Sequence, residues 1–198
     1  MSPAYTPMGS GPRWSIRREG RDEPPDHCAP VRFKSGRDGT VSLTLEPAEV
    51  ELLRDVPEQL RRLYESDSDD PARERLFPRA YLDPTEEGSE EQWQAVVYPE
   101  LLRDRLEGLD RLVGALDRGR SIRGRRIEVD LPPDEVNVWL AVLNDARLAF
   151  GTRLGVSDDT DIYRFVPDDP LALEKAAYAW LTTLQGALVE TMLGTLPD

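Results

Sequence analysis

The chain carries one cysteine and one histidine, Cys28 and His27, side by side. A lone cysteine excludes an intramolecular disulfide framework and fits a reducing compartment. Two adjacent ligands do not close a zinc site, and no second cluster exists to complete one. The sequence also lacks a P-loop, a GxGxxG after a strand, a GxSxG and an HExxH. With so few groups for nucleophilic, acid–base or metal chemistry, it reads as a non-enzyme that needs no cofactor. Lysine is almost absent: Lys34 and Lys175 are the only two, and arginine supplies the remaining positive charge. No apolar run approaches the roughly 18 residues of a membrane span. The opening MSPAYTPMGSGPRW has no apolar core of signal-peptide length. A soluble, cytoplasmic protein without membrane contact is expected.

Charge of one sign dominates. Thirty-eight acids against 25 bases leave a net charge of −13. Such a chain repels nucleic acid on average. One segment runs the other way: Arg118, Arg120, Arg123, Arg125 and Arg126, with no acid among them. It is the candidate contact for an anion or an acidic partner, but it lacks interleaved aromatics. A solvated turn between a helix and a strand is the plainer reading. Without those five arginines the chain would carry −18, so direct DNA binding by the chain alone is not expected. The acidic stretch Asp158, Asp159, Asp161, Asp168 and Asp169 lacks the spacing and turn glycine of a calcium loop. It reads as an exposed loop, and no metal site is expected. His27 and Cys28 fall in a Pro-rich loop, which leaves Cys28 as a redox candidate: a thiol open to oxidation or to an intermolecular bond.

Along the chain, residues 1–12 read as a disordered tail rich in Pro, Gly and Ser. Residues 13–30 read as a strand (14–18) and a loop, and 31–196 as a single α-rich domain. Residues 31–34 and 41–45 alternate apolar and polar side chains across a glycine-containing turn, a hairpin signal. Glu46-Pro47-Ala48-Glu49 opens a helix whose apolar face is Val50, Leu53, Val56, Leu60 and Leu63. Pro57 predicts a kink or restart. A short helical turn over 71–77 and a Pro/Gly loop to 89 follow. A long helical region spans about 90–117, with Trp93, Val97, Leu101, Leu102, Leu106, Leu109, Val113 and Leu116 inward and a kink or division at Pro99. Residues 118–126 read as a basic connector, and Ile127, Val129 and Leu131 mark a strand. Pro132-Pro133-Asp134-Glu135 starts a further helix with Gly155 as a terminator near its end, and a final helix covers about 171–193. The fold class is mainly α: a helical bundle with a small antiparallel sheet made of the hairpin and the 126–131 strand.

The stretch WLAVLNDARLAFGTRLGV at 139–156, most of which reads as one helix, is the most informative. Val136, Leu140, Leu143, Arg147, Phe150 and Leu154 share one face, with an arginine inside an apolar stripe. A buried charge needs acceptors. On the last helix the stripe Tyr178, Leu181, Gln185, Leu188 and Met192 is broken only by Gln185. Two stripes each broken once predict that Arg147 meets Gln185, with Glu190 as the alternative partner and Asn144 completing the network. Asn144, Asp145, Arg147, Arg153, Gln185 and Glu190 are therefore the candidate polar core. The same centre, read as a ligand site, would make the protein a small enzyme or binder.

The pattern WLAVLNDARLAFGTRLG at 139–155, followed by YAWLTTLQGALVE at 178–190, resembles an actinobacterial family of uncharacterised domains. The hairpin and helix over 41–64 and Leu76-Phe77-Pro78 fit it as well, so the resemblance covers about residues 30–193. That family includes the oxidative-stress transcriptional regulator AosR. The resemblance implies a regulator acting by protein–protein contact, with a stress sigma factor or RNA polymerase as partner. In AosR, sensing uses an intramolecular disulfide, a switch that a chain with only Cys28 cannot form. Family genes also lie near the adaptor of the Clp protease, so an accessory role in proteolysis is the other reading the resemblance implies. Partner identity, promoter targets and self-association stay open.

Overall fold

Strand β1 (Arg32–Ser35) and strand β2 (Val41–Leu45) pair antiparallel, Phe33 opposite Leu43. The computed structural model describes residues 32–36, 38–66, 69–122, 124–157, 159–162 and 169–194. The strand expected over 14–18, the loop bearing His27 and Cys28, and the tail lie outside them, as do Arg123, Asp158 and Asp168. Strand β2 alternates: Val41, Leu43 and Leu45 are buried while Ser42 and Thr44 are not. That is the period of a sheet with one face on a core.

Helix α1 (Pro47–Tyr64) follows, its first turn closed by a reciprocal capping box between Glu46 and Glu49. It runs through Pro57 without a break. Pro57 forfeits one helical hydrogen bond, yet Val56, Leu60 and Leu63 on the same helix are essentially inaccessible to solvent. Their burial outweighs the proline penalty of about 3 kcal/mol. A short helix α2 (Pro71–Leu76) is capped by Asp70, whose carboxylate accepts the Ala72 N–H at 2.9 Å. A 3₁₀ turn (Pro84–Glu86) leads into α3 (Glu87–Asp117), a single helix that Pro99 does not divide. Pro99 is exposed, so only water-facing backbone is disturbed there.

The stretch expected as a plain basic connector contains a strand, β3 (Arg120–Ile122), which pairs with β4 (Arg126–Leu131). The sheet order is β1-β2-β4-β3, antiparallel throughout. Leu43 faces Val129 and Val41 faces Leu131 across the central pair. These apolar cross-strand pairs give the helices a surface to pack on. Helix α4 (Pro133–Leu154) and helix α5 (Ala172–Leu193) complete the fold. Gly155 ends α4 in the left-handed region at φ 64°, and Val156 N–H closes back on Gly151 O at 2.8 Å.

The interior is built around α4, which touches α1, α2, α3, α5 and β4. Burial is therefore not confined to one stripe. Trp139, Val142, Ala146 and Ala149 are buried beside Val136, Leu143 and Phe150. The α4–α5 contact is close: a Cβ on Gly151 would meet the Tyr178 ring at 3.2 Å. The result is a mainly α fold with a small antiparallel sheet. No helix among the described residues is long and apolar enough to cross a membrane.

One part departs from the expected pattern. Trp93 and Val97 were placed on the core side of α3, but Val97 is 41% exposed and Trp93 only half-buried. The helix has 31 residues, about 46 Å at the usual rise. Its fully buried apolar residues, Leu109, Leu112, Ala115 and Leu116, all lie in the C-terminal half. The N-terminal half reaches beyond the main core, which a periodicity argument cannot detect.

Candidate functional site

Arg147 of α4 donates through Nε to the Thr182 hydroxyl at 3.0 Å and through Nη1 to the Gln185 carbonyl of α5. Gln185 in turn donates to Leu140 O at 3.5 Å. The two stripe-breaking residues thus meet at the α4–α5 contact. Glu190 and Asn144 are not brought there: both are exposed, each on the outer side of its helix. A spacing of three puts Asn144 one turn before Arg147, yet its side chain is exposed and Arg147 turns instead to Thr182 and Gln185.

Asp145 and Arg153 face other neighbours. Arg153 reaches Asp70 at 2.5 Å, linking the end of α4 to the cap of α2. Burial pulls the Arg153 pKa down, and the Asp70 carboxylate counters that. Asp145 is buried at 8% exposure. Its Oδ2 accepts from the Tyr64 hydroxyl at 2.7 Å and from Arg105 Nη1 at 2.5 Å. Burial raises the Asp145 pKa, while the Arg105 charge and the Tyr64 hydrogen bond oppose the rise. Tyr64 is pushed up in turn by its own burial and by the carboxylate beside it. Hence Tyr64 stays a neutral donor.

Arg105 also donates to Leu76 O at 3.1 Å and lies over the Phe77 ring at 4.7 Å. That carbonyl would otherwise be one of the unmet acceptors at the end of α2. A second arginine, Arg73, sits 5.7 Å from both the Phe77 and Tyr98 rings and donates to the Tyr98 hydroxyl at 2.6 Å. Phe77 packs edge-on against Tyr64 and Tyr98. The cluster Tyr64, Phe77, Arg105 and Asp145 ties four helices, α1 to α4, at one point. Sequence reasoning missed Arg105 and Tyr64, although a signal was present. Arg105 stands among Leu101, Leu102, Leu106 and Leu109, the same break in an apolar stripe that singles out Arg147. Chemically the cluster is a neutralised ion pair lined by aromatics, with each charge turned on its neighbour.

Three of the five expected anion-facing arginines are engaged by acids of the same chain. Arg118 bonds Glu135 at 2.6 Å, Arg120 bonds Glu128 at 3.1 Å and Asp130 at 2.9 Å, and Arg126 bonds Glu46 at 2.6 Å. For Arg120 strand pairing explains it: β3 sets the residue opposite Glu128 in the register. Arg125 is exposed in the β3–β4 turn. Among the acids of the 157–169 loop, Asp169 accepts from Lys175 at 2.6 Å and from the Leu171 N–H, which hold its pKa below the usual carboxylate range. Among the described residues no group of three or more metal-ligating side chains converges.

The sequence model described as "Domain of unknown function (DUF2017)" matches residues 30–192. The chain belongs to that family. Its relatives include proteins named "Oxidative stress regulator AosR" from Mycobacterium bovis and Mycobacterium tuberculosis, each 30% identical over 137 residues. A "Putative oxidative stress regulator AosR" of Mycobacterium leprae is 29% identical over 138 residues. In each case the match covers 64% of this chain and 60% of the relative. The chain thus spans about three-fifths of the curated relatives it matches. No solved structure matches it. The family match takes in the whole four-helix cluster as well as the Arg147–Gln185 contact.

Proposed function

We propose that this chain is a non-enzymatic regulator of the oxidative-stress response. It works by contact with a protein of the transcription machinery, a sigma factor or RNA polymerase. The observation that carries the reading is its 30% identity to proteins named as oxidative stress regulators. The internal pairing of Arg118, Arg120 and Arg126 supports a protein partner over DNA. Phosphate contacts would have to displace carboxylates already in place. The ligand-site reading has less support, because Arg147 is occupied by Thr182 and Gln185 and Asn144 is exposed.

The test is affinity capture of the full chain from its native cell, with and without peroxide, followed by mass spectrometry. Sigma factor or RNA polymerase subunits are expected, and a Clp component in their place would overturn the reading in favour of proteolysis. A second arm titrates duplex DNA at physiological salt. Specific binding at about 10⁻⁸ M or tighter would make the chain a direct DNA reader. Cys28 lies outside the described residues, and in this reading it is the redox-responsive group. Peroxide should convert it to a sulfenic acid or an intermolecular disulfide. Thiol mass spectrometry that finds Cys28 unmodified would remove redox sensing from this member.

A further inference from the structure

The overhanging half of α3 carries an exposed apolar stripe. Trp93, Val96 and Val97 are neighbours at helical spacings of three and four and form one continuous apolar surface. Val96 is 62% exposed and Val97 41%. The chain preceding the helix is fixed beside them. Buried Glu90 accepts the Ala80 N–H at 3.0 Å and the Tyr81 N–H at 2.9 Å, and its other oxygen accepts from Gln94 at 2.8 Å. This clasp holds residues 80–81 against the turn of α3 just before Trp93. It brings Tyr81, 36% exposed, and Leu82, 83% exposed, to the same end of the molecule.

Within the segment that carries this surface the charge has one sign. From residue 83 to residue 100 there are six acids, Asp83, Glu86, Glu87, Glu90, Glu91 and Glu100, and no lysine or arginine. Glu86, in the 3₁₀ turn just before α3, and Glu100, three residues beyond Val97, bracket the Trp93–Val97 stripe along the chain. Glu87 is bonded to Arg79 at 2.6 Å. An apolar surface framed by acid selects its occupant. A second copy of this chain would set acid against acid, and an anionic membrane or nucleic acid would be repelled.

We infer that the surface formed by Leu82, Trp93, Val96 and Val97, with Glu86 and Glu100 at its rim, docks a basic amphipathic helix of a partner protein. The apolar stripe of that helix covers the valines, and its flanking Lys or Arg side chains pair with the rim glutamates. The inference deepens the protein-contact reading above and rests on it. It differs in naming the place and the chemistry of contact.

The test uses the full chain and, as probe, a fluorescein-labelled leucine–lysine peptide of about five helical turns with leucines at helical spacing. Fluorescence anisotropy should show saturable binding that weakens as salt rises from about 50 to 300 mM. Leu82→Ser with Val96→Gln should weaken it at least about tenfold. Glu86→Lys with Glu100→Lys should weaken it mainly at low salt. A matched leucine–glutamate peptide should not bind. Val189→Ser with Leu193→Ser, on the exposed side of α5, is the control and should change nothing. Equal binding by the first double variant, equal binding of the acidic peptide, or the same loss in the control would each overturn the proposal. So would a chain dimer that the Leu82/Val96 variant dissociates in sedimentation, since the occupant would then be a second copy. Repeating the native-cell capture with the Leu82/Val96 variant separates the two readings. If sigma factor or polymerase is retained in full, the docking surface fails while the regulatory reading stands.

Discussion

The two halves of α3 lead opposite lives. From Leu101 onward the leucines and valine of the helix are half-buried or buried among neighbours, and Arg105 has a carboxylate, a carbonyl and two aromatic rings around it. Before Tyr98 only Glu90 is buried, and its role is to hold the preceding loop. The C-terminal half serves the fold, since each charge is met from within the chain. In the N-terminal half, apolar side chains and like charges lie at the surface together, an arrangement that adds little to folding stability. Substitutions should therefore separate into those that unfold the protein and those that do not.

The largest effect is expected at Arg105. Arg105→Ala strips the partner from buried Asp145, orphans Leu76 O and removes the cation over Phe77. Chemical denaturation should register a loss of about 3–5 kcal/mol. Protonation of Asp145 should then relieve part of it. Burial already raises the Asp145 pKa, and without Arg105 it rises further. A folded-state pKa above the unfolded value means the folded state binds the proton more tightly, so stability is lost as pH rises. The deficit of Arg105→Ala relative to the native chain should thus be smaller near pH 5 than at pH 8. A deficit independent of pH would show that Asp145 finds another partner.

Arg147 comes next. Its acceptors are a hydroxyl and an amide, so Arg147→Ala leaves no buried carboxylate uncompensated. The loss should be about 1–2 kcal/mol, the scale of two neutral-acceptor hydrogen bonds. A double-mutant cycle with Gln185→Ala should show a coupling of about 0.5 kcal/mol or more. Additivity would mean that the observed contact carries no energy.

These two sites also show what was legible in the residues. Arg147 and Gln185 interrupt clean stripes on consecutive long helices, so their meeting could be read from spacing alone. Asp145 was singled out but its partners were not, because they come from elements 40 and 81 residues away. Nothing local in Tyr64 distinguishes a buried hydroxyl donor from an ordinary core aromatic. The hairpin, α1, α4 and α5 followed from period and capping residues. Strand β3 was hidden because Arg120 reads as part of a solvated run, and only the register opposite Glu128 makes it a strand residue. Pro57 and Pro99 suggested breaks that tertiary packing and solvent exposure respectively remove. The overhang of α3 was illegible for a different reason: periodicity reports which side of a helix is apolar, not whether another element reaches it.

Glu90 tests the boundary between the two halves. Its carboxylate is held below the usual range by the Gln94 amide and the Tyr81 and Ala80 N–H groups, against the effect of burial. A depressed folded-state pKa gives stability that is present above the unfolded value near 4.5 and is lost as pH falls through the folded one. The acid limb of the stability curve should therefore be shallower in Glu90→Gln than in the native chain. Hydrogen exchange should locate the change at residues 80–81. An unchanged limb would mean that the clasp contributes nothing in solution.

The smallest effect is expected where the docking proposal needs it. Leu82→Ser and Val96→Gln alter side chains that are 83% and 62% exposed, so little apolar area returns to water on unfolding in either sequence. Their combined effect on stability should stay within about 0.5 kcal/mol. The valine is the stricter case, because glutamine has the better helix propensity and could even stabilise α3 slightly. Thermal and urea denaturation of the double variant decide it. A loss beyond about 1 kcal/mol would mean that these residues pack against the chain itself. The overhang would then belong to the core after all, and the contrast between the two halves of α3 would collapse.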